Sequence, residues 1–181
     1  VEMVVWLAEQ LQLSDVAAYW KSVLDMNDFQ QTRFSSNIAT TMGNVKGKKI
    51  AILGFAYKPD TSDTRSSPAI RICKDLIEEG AKIVVYDPQV SADSIATALG
   101  GYSAFSPLQV SFARSAIEAC QGAQALVLVT AWEEFKTIDM CEVVGAMVKP
   151  PFIFDSRGVW EVRDLERMGF TVYRIGKPRR D

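Results

Sequence analysis

From Lys48 onward, short aliphatic runs alternate with segments of helical periodicity, and this alternation constrains the fold more than any other feature of the sequence. The pattern is typical of a parallel sheet whose strands are joined by helical crossovers. Several runs are almost entirely aliphatic, as expected for strands that are buried on both faces. The candidate strands are 49–56, 82–87, 110–113, 125–131, 152–155 and 171–175, and the candidate helices are 68–79, 92–99, 115–121, 138–147 and 160–168. The sequence therefore predicts an α/β fold, a doubly wound Rossmann-like parallel sheet of about six strands.

Residues 1–43 have helical periodicity throughout, so a long helical segment precedes the sheet. The Ser14-Asp15 pair is a suitable N-cap for a second helix, and Gly43 is a suitable terminator. If it is unbroken, this helix is about 42 Å long at about 1.5 Å per residue. A domain of this size cannot cover such a helix, so we expect it to link two domains or to pack against a second copy. We divide the chain into central helices at 1–43 and a C-terminal domain at 48–181.

Composition excludes several classes of function. The sequence contains no histidine, so Ser-His-Asp, Cys-His and His-metal chemistry is excluded within this chain. The net charge of −2 and the lack of a dense basic stripe argue against nucleic acid as a partner. There is no run of about eighteen apolar residues, so we expect no membrane span, and the start of the chain lacks the features of a signal peptide. We therefore expect a cytoplasmic protein.

The three cysteines are widely spaced along the sequence. Cys73, Cys120 and Cys141 form no CxxC pair, which argues against a disulfide framework and against a zinc site. Each lies in an apolar segment with helical periodicity. We expect all three to be buried and unreactive thiols.

Two cations follow strands of the predicted sheet. In a doubly wound sheet, ligands bind beyond the carboxyl ends of the strands. Lys58 follows the first strand and Arg157 follows the fifth, so they reach the same edge from distant parts of the sequence. A phosphate or pyrophosphate is the natural anion for such a pair. The alternative is that each cation pairs with a nearby carboxylate, Lys58 with Asp60 or Asp63 and Arg157 with Asp155.

Two further charged residues lie at the same edge. Arg65 precedes the predicted Ser67-Pro68 helix start, where it can add to a phosphate site or hold the aspartates of its own loop. Asp87 closes the second strand, where a dinucleotide-binding fold places its ribose-binding acid. No GxGxxG motif lies upstream, so a turn or cap role is favoured for Asp87.

The segments that carry these residues resemble a known family. GFAYKPDTSDTRSSP at 54–68, YDP at 86–88, ALVLVTAWEEF at 125–135 and FIFDSRG at 152–158 are similar to the C-terminal domain of the UDP-glucose 6-dehydrogenases. YWKSVLDMNDFQQTRF at 19–34 resembles the later part of that family's central helix, in its eukaryotic-type form. The resemblance covers essentially the whole chain, with the motifs in the same order and at the same spacing.

The resemblance implies an activity and a set of site residues. The family oxidises UDP-glucose to UDP-glucuronate in two successive NAD-dependent steps, through a cysteine thioester. Tyr57, Lys58 and Arg157 match residues that contact UDP-glucose, and Arg65 matches an arginine that reaches the NAD cofactor across a domain cleft. Tyr57 stands where many relatives have Phe, and Pro59 where many have a second Lys. A homodimer or higher homo-oligomer through the central helix is also implied.

The resemblance further implies that the catalytic half of the enzyme lies outside this sequence. The family's GxGxxG NAD-binding domain and its GxGGxCF-type nucleophile motif both precede the matched region, the latter by a few residues before Val1. We therefore predict that no residue of this chain is catalytic, that it holds no metal, and that it is inactive alone. The alternatives are a sibling dehydrogenase acting on UDP-N-acetylmannosamine or GDP-mannose, and a non-catalytic assembly module that dimerises through the long helix.

Overall fold

A sheet of six strands forms the centre of the protein in a computed structural model that describes residues 1–176 of the 181-residue chain. The strands are β1 (Lys49–Leu53), β2 (Lys82–Tyr86), β3 (Val110–Phe112), β4 (Ala125–Leu128), β5 (Phe152–Asp155) and β6 (Thr171–Arg174). All neighbouring strands are parallel. Their order is β3-β2-β1-β4-β5-β6, so the strand order reverses between β1 and β4. The predicted doubly wound, Rossmann-like sheet is confirmed.

Helices connect each strand to the next. They are α3 (Pro68–Glu78), α4 (Ala92–Leu99), α5 (Ala116–Cys120), α6 (Glu133–Lys136), α7 (Met140–Ala146) and α8 (Val162–Arg167). The predicted bounds differ from these by at most two residues, and the single turn α6 was not predicted. The predicted cap of α3 is confirmed, because the Ser67 hydroxyl accepts a hydrogen bond from the backbone N–H of Ala69 and Pro68 occupies the first turn.

Two strands end three residues before the apolar runs that predicted them. The run 49–56 was predicted as one strand, but β1 ends at Leu53, and 125–131 likewise exceeds β4. Phe55 and Ala56 are completely buried although they lie outside the sheet. Burial of the loop itself, rather than strand pairing, therefore accounts for the end of the apolar run. These residues leave the sheet at its carboxyl edge.

The helical segment is a hairpin of α1 (Glu2–Gln10) and α2 (Ser14–Met42), which pack together. Gly43 ends α2 in the left-handed conformation, as predicted. The predicted N-cap is wrong, because Ser14 is the first helical residue and Leu13 takes the cap position with no capping side chain. The turn between the helices is instead closed by the backbone, since the N–H of Leu13 donates to the carbonyl of Ala8 over 2.9 Å.

The α2 helix is unbroken over its 29 residues, about 44 Å at about 1.5 Å per residue. Its C-terminal half is part of the core, with Phe34, Ile38 and Met42 buried. Asn37 Nδ2 also donates to the hydroxyl of Tyr173 in β6 over 2.7 Å. The end of α2 precedes β1 by only a short turn, so the two domains drawn from the sequence share one core within the described residues. The proposed boundaries at 43 and 48 stay a prediction, and residues 177–181 of the second domain lie outside the described residues.

The other half of the hairpin exposes large apolar side chains. They come from α1, from the turn that follows it, and from the first half of α2: Met3, Trp6, Leu7, Leu11, Tyr19, Met26 and Phe29. Trp6, for example, is 59% exposed. We call this set the hairpin face. Among the described residues, no helix combines the length and the apolar character that crossing a bilayer would require.

The cysteine prediction is correct for two residues and wrong for the third. Cys73 and Cys120 are buried, and burial raises the pKa of the Cys73 thiol and raises that of Cys120 to about 12. Cys141 is exposed. It is the second residue of α7, whose buried positions are Met140 and Val143, so it lies on the outer side of that helix.

Candidate functional site

A cleft of about 760 Å³ lies between the helical hairpin and the carboxyl edge of the sheet. Its lining residues come from α1, from α2, and from the loops that follow β1 and β5: Val1, Glu2, Met3, Leu24, Asn27, Asp28, Gln31, Tyr57, Lys58, Ser66, Pro68 and Arg157. Three of the four predicted site residues, Tyr57, Lys58 and Arg157, therefore line one cleft. The fourth, Arg65, is not among the lining residues, although its neighbour Ser66 is.

Arg157 is positioned by a turn that begins at the end of β5. The buried carboxylate of Asp155 accepts hydrogen bonds from four successive backbone N–H groups, those of residues 157–160, at 2.6–3.3 Å. The guanidinium is fixed as well, because its Nε donates to the carbonyl of Val129 over 2.6 Å. Arg157 lines the cleft, and its other guanidinium nitrogens make no hydrogen bond within residues 1–176.

Lys58 lies on the longer loop that joins β1 to α3. This loop folds back on itself, since the N–H of Tyr57 donates to the carbonyl of Asp63 over 2.8 Å. Tyr57 and Lys58 are exposed at its tip, directly after the buried residues Phe55 and Ala56. Two buried residues are thus followed directly by two exposed ones, so the buried pair holds the exposed pair at the sheet edge.

The carboxylate-pairing alternative is wrong for both cations within residues 1–176. The ion pairs there join Arg65 to Asp63, Arg71 to Asp75, Lys136 to Glu133 and Arg167 to Asp164. Asp155 accepts from the backbone of Arg157 and not from its guanidinium. Lys58 and Arg157 therefore bring two positive charges to the cleft without a carboxylate partner among the described residues.

Arg65 is the cation that does hold an aspartate of its own loop. Its guanidinium donates to both oxygens of Asp63, with the Nη2 contact at 2.8 Å. The hydrogen bond from Arg65 lowers the pKa of Asp63 to about 2 and the same contact raises the pKa of Arg65. The Arg65 side chain is nevertheless 89% exposed. It lies beside the cleft, with donors that solvent can reach.

The opposite wall of the cleft was not predicted from the sequence. It is formed by polar residues of the hairpin, namely Asn27, Asp28 and Gln31 on α2 and Glu2 on α1. From the sequence, the long helix was expected only to link two domains or to pack against a second copy. Asn27 and Gln31 are four residues apart, so they share one helical face, and this spacing is the signal that could have found the wall.

Asp87 is buried at the end of β2 and has the turn role that was favoured. Its Oδ1 accepts from the N–H groups of Gln89 and Val90, both over 2.9 Å. Its other oxygen points to the β1 loop. Within the described residues, no cluster of three or more carboxylates and thiols is arranged to hold a metal ion.

Comparisons with known proteins give the same assignment as the motifs. Residues 51–162 match the UDP binding domain of the UDP-glucose/GDP-mannose dehydrogenase family. The chain is 43% identical to UDP-glucose 6-dehydrogenase 1 of Oryza sativa subsp. japonica, over 96% of this chain and 39% of that protein. It is 46% identical to the UDP-glucose 6-dehydrogenase of Rattus norvegicus, over 96% of this chain and 36% of that protein. The chain thus spans less than two-fifths of the length of these relatives.

The fold is also that of solved dehydrogenases. The UDP-glucose dehydrogenase of the archaeon Pyrobaculum islandicum superposes with a TM-score of 0.70 at 21% identity, over 94% of this chain and 34% of that one. At this identity the likeness concerns the fold alone. The family match covers more than half of the chain and includes the strands and loops that carry Lys58 and Arg157. The chain therefore belongs to the UDP-glucose/GDP-mannose dehydrogenase family and contains its UDP binding domain.

Proposed function

We propose that this chain holds the UDP part of UDP-glucose in an NAD-dependent UDP-glucose 6-dehydrogenase, and that Tyr57, Lys58 and Arg157 are its substrate contacts. The observation that supports this most directly is the convergence of two cations from distant strands on one cleft, with no carboxylate partner among residues 1–176. Both curated relatives described above are named UDP-glucose 6-dehydrogenases.

The charge of the sheet-side wall suits a diphosphate. Arg157 offers a planar fork of N–H donors and Lys58 a compact ammonium group. Each charge-assisted hydrogen bond contributes about 1.5–3 kcal/mol. Two such bonds supply a large share of the roughly 8 kcal/mol that micromolar binding requires. The amino end of α3 adds to this wall, since Ser66 and Pro68 also line the cleft.

The opposite wall suits the uncharged parts of a nucleotide sugar. Asn27, Asp28 and Gln31 supply amide and carboxylate groups that can bond hydroxyl and base-edge groups. A volume of about 760 Å³ lies within the usual range for small-molecule sites. The cleft therefore accepts a ligand with an anionic centre and hydroxyl-rich ends, which describes a nucleoside diphosphate sugar.

Arg65 is the residue of this chain that we propose to contact NAD. The backbone N–H groups of Phe55 and Ala56, which follow β1, already donate to the buried carboxylate of Asp87, so they are not free to receive the pyrophosphate of a dinucleotide. The exposed Arg65 guanidinium can meet an anionic group that another domain presents across the cleft. We therefore assign NAD mainly to sequence outside these 181 residues. When bound, NAD supplies the hydride acceptor, and this chain supplies no reacting group.

The position of the cleft entrance is consistent with substrate binding by this chain and catalysis by upstream sequence. Val1 and Met3 line the cleft, and the resemblance places the nucleophile motif a few residues before Val1. The reacting end of a bound sugar and the upstream cysteine would then meet at the same opening. On this basis we propose that the chain is inactive alone and completes an active site when joined to the upstream half.

The test is NADH absorbance with the complete protein that contains this chain and UDP-glucose as sole substrate. Oxidising a primary alcohol to a carboxylate removes four electrons, so two NADH are expected for each sugar. Turnover with UDP-N-acetylmannosamine or GDP-mannose, but not with UDP-glucose, would keep the family and overturn the substrate. Failure with all three would favour the assembly module, and turnover by residues 1–181 alone would overturn the assignment of catalysis to the upstream half.

We further propose that the hairpin face packs against a second copy of the chain. The seven large apolar side chains of this one helical hairpin face are exposed, and large exposed apolar patches mark interaction sites. We expect the substitution Tyr19→Glu to weaken self-association of the complete protein more than about tenfold, because a charge would be buried without a partner. Sedimentation equilibrium measures this, with Leu108→Glu as control at an exposed apolar position outside the hairpin. Equal behaviour of the two variants would exclude the hairpin face as the contact.

A further inference from the structure

Asp87 connects three neighbouring strands at the point where the strand order reverses. Its Oδ2 accepts hydrogen bonds from the backbone N–H groups of Phe55 and Ala56, at 2.6 and 2.9 Å. The same oxygen accepts from the indole N–H of Trp132, in the loop after β4, over 3.0 Å. With the two bonds to its own turn, this buried carboxylate accepts five hydrogen bonds.

A second contact closes the same position from the β4 side. The hydroxyl of Thr130 donates to the carbonyl of Ala56 over 2.5 Å. Gly54 lies so close to Thr130 that a Cβ atom at Gly54 would be 2.6 Å from the backbone nitrogen of Thr130. Glycine is thus used here for the approach of one loop to another.

In this sheet order a dinucleotide normally occupies that position. The amide groups after the first strand receive its pyrophosphate and the acid after the second strand receives its ribose. Here the acid is bonded to those amide groups directly, and Thr130 and Trp132 occupy the remaining space. The protein's own carboxylate has taken the place of the ligand's anionic groups.

We propose that Asp87 is a positioning residue for Lys58. Fixing the amide groups of Phe55 and Ala56 fixes the segment immediately before Tyr57 and Lys58. The other anchor of this segment is the bond from the Thr130 hydroxyl to the carbonyl of Ala56. Asp87 itself does not line the cleft. It acts on the ligand through the loop, and this inference rests on the proposed function of Lys58.

The first test asks whether Asp87 holds the loop. Asp87→Asn replaces one acceptor oxygen by a donor that faces other donors, so hydrogen exchange at Phe55 and Ala56 in the complete protein should accelerate about tenfold or more. Trp132→Phe keeps an aromatic side chain but removes the indole N–H donor, and should accelerate exchange in the same segment to a smaller extent. Unchanged exchange in both variants would overturn the proposal, whatever the activity of the protein.

The second test asks whether the hold acts through Lys58. Asp87→Asn should raise the KM for UDP-glucose about tenfold with a smaller change in kcat. In a Lys58→Ala background the same substitution should raise KM less than about twofold, because the group being positioned is gone. An equal factor in both backgrounds would mean that Asp87 is only a structural residue, and would overturn the proposal.

The control is a substitution at another aspartate. Asp139→Asn changes an exposed aspartate that also accepts backbone hydrogen bonds, at the start of α7, and should alter neither readout. If the unsubstituted complete protein does not oxidise UDP-glucose, the proposed function fails on its own. The exchange measurement then still decides whether Asp87 holds the β1 loop.

Discussion

The two loops that bring positive charge to the cleft are held in different ways. Arg157 lies on a turn that is closed by the aspartate two residues before it, through four successive amide groups. Lys58 lies on a loop whose fixed point is Asp87, an aspartate of another strand, more than 25 residues away in sequence. One loop closes its backbone on its own aspartate, and the other is closed by an aspartate of a neighbouring strand.

This difference shows what each cation needs in order to be in place. The backbone of the Arg157 turn is closed within residues 155–160, because its hydrogen bonds to Asp155 are local, and only the guanidinium needs a distant partner, the carbonyl of Val129. The Lys58 loop is fixed only when β1, β2 and β4 are side by side, because Asp87 and Trp132 come from its neighbours. We therefore expect perturbations of the sheet edge to affect Lys58 more than Arg157.

The largest expected effect tests the contact that packs the β1 loop onto the sheet edge. Gly54→Ala places a Cβ atom 2.6 Å from backbone and side-chain atoms of Thr130, at a φ of +85°. The neighbour is backbone and cannot move aside, so we expect a loss of about 3 kcal/mol or more in the free energy of unfolding. Urea unfolding of the chain at a fixed protein concentration measures it.

Substitutions at two further glycines distinguish the cost of a positive φ from the cost of the close contact with Thr130. Gly122→Ala has a similar positive φ with no atom within 4 Å, so it should show only the backbone cost of about 1–2 kcal/mol. Gly158→Ala, on the Arg157 turn, meets the end of the flexible Arg174 side chain, and should cost little more than Gly122→Ala. If Gly54→Ala is no worse than Gly122→Ala, the β1 loop is not held rigidly against β4.

The next effect compares the two cations directly. In the complete enzyme we expect Arg157→Ala and Lys58→Ala each to lower kcat/KM for UDP-glucose more than about tenfold. Arg157→Ala should be the more damaging, because its guanidinium is already held by Val129 and loses less freedom on binding. Lys82→Ala serves as the control, because Lys82 is an exposed lysine at the start of β2, at the edge of the sheet opposite the cleft. Unchanged kinetics in both cleft variants would remove these residues from the site.

The smallest effect concerns the ion pair within the β1 loop. The hydrogen bond from Arg65 lowers the pKa of Asp63 to about 2, so the folded state favours the ionised carboxylate. Its contribution is complete above the ordinary aspartate pKa of about 3.9 and is lost as the pH falls through about 2. An NMR titration of the Asp63 carboxyl should give a midpoint below that of an ordinary aspartate, and Arg65→Ala should restore the ordinary value. A midpoint near 3.9 in the unsubstituted chain would contradict the ion pair.

The difference between the loops also explains what the sequence could predict. The alternation of apolar runs with helical segments was sufficient for the sheet, since burial on both faces leaves a strong local pattern. The convergence of Lys58 and Arg157 followed from their places after strands. A turn role was favoured for Asp87 because no GxGxxG motif lies upstream. Its bonds to Phe55 and Trp132 depend on the sheet order, which no local pattern carries.

Other misses have similar physical causes. The spacing of Asn27 and Gln31 indicates that they share one face of α2, but which part of the protein that face meets depends on how α2 lies across the sheet. Cys141 is exposed because α7 turns its Met140 and Val143 side inward, and a short apolar segment does not reveal which side that is. The capping role given to Ser14 failed because the backbone of the α1–α2 turn makes the closing hydrogen bond instead.

The unbroken α2 helix connects the core directly to the wall of the cleft. Ile38 is completely buried, and Asn27 projects into the cleft eleven residues away, about 16 Å along the helix. A tilt of about 5° at the buried end would shift Asn27 by about 1.4 Å, which is enough to break or make a hydrogen bond. The width of the cleft therefore depends on the orientation of α2, and a contact made by the first half of this helix would change both.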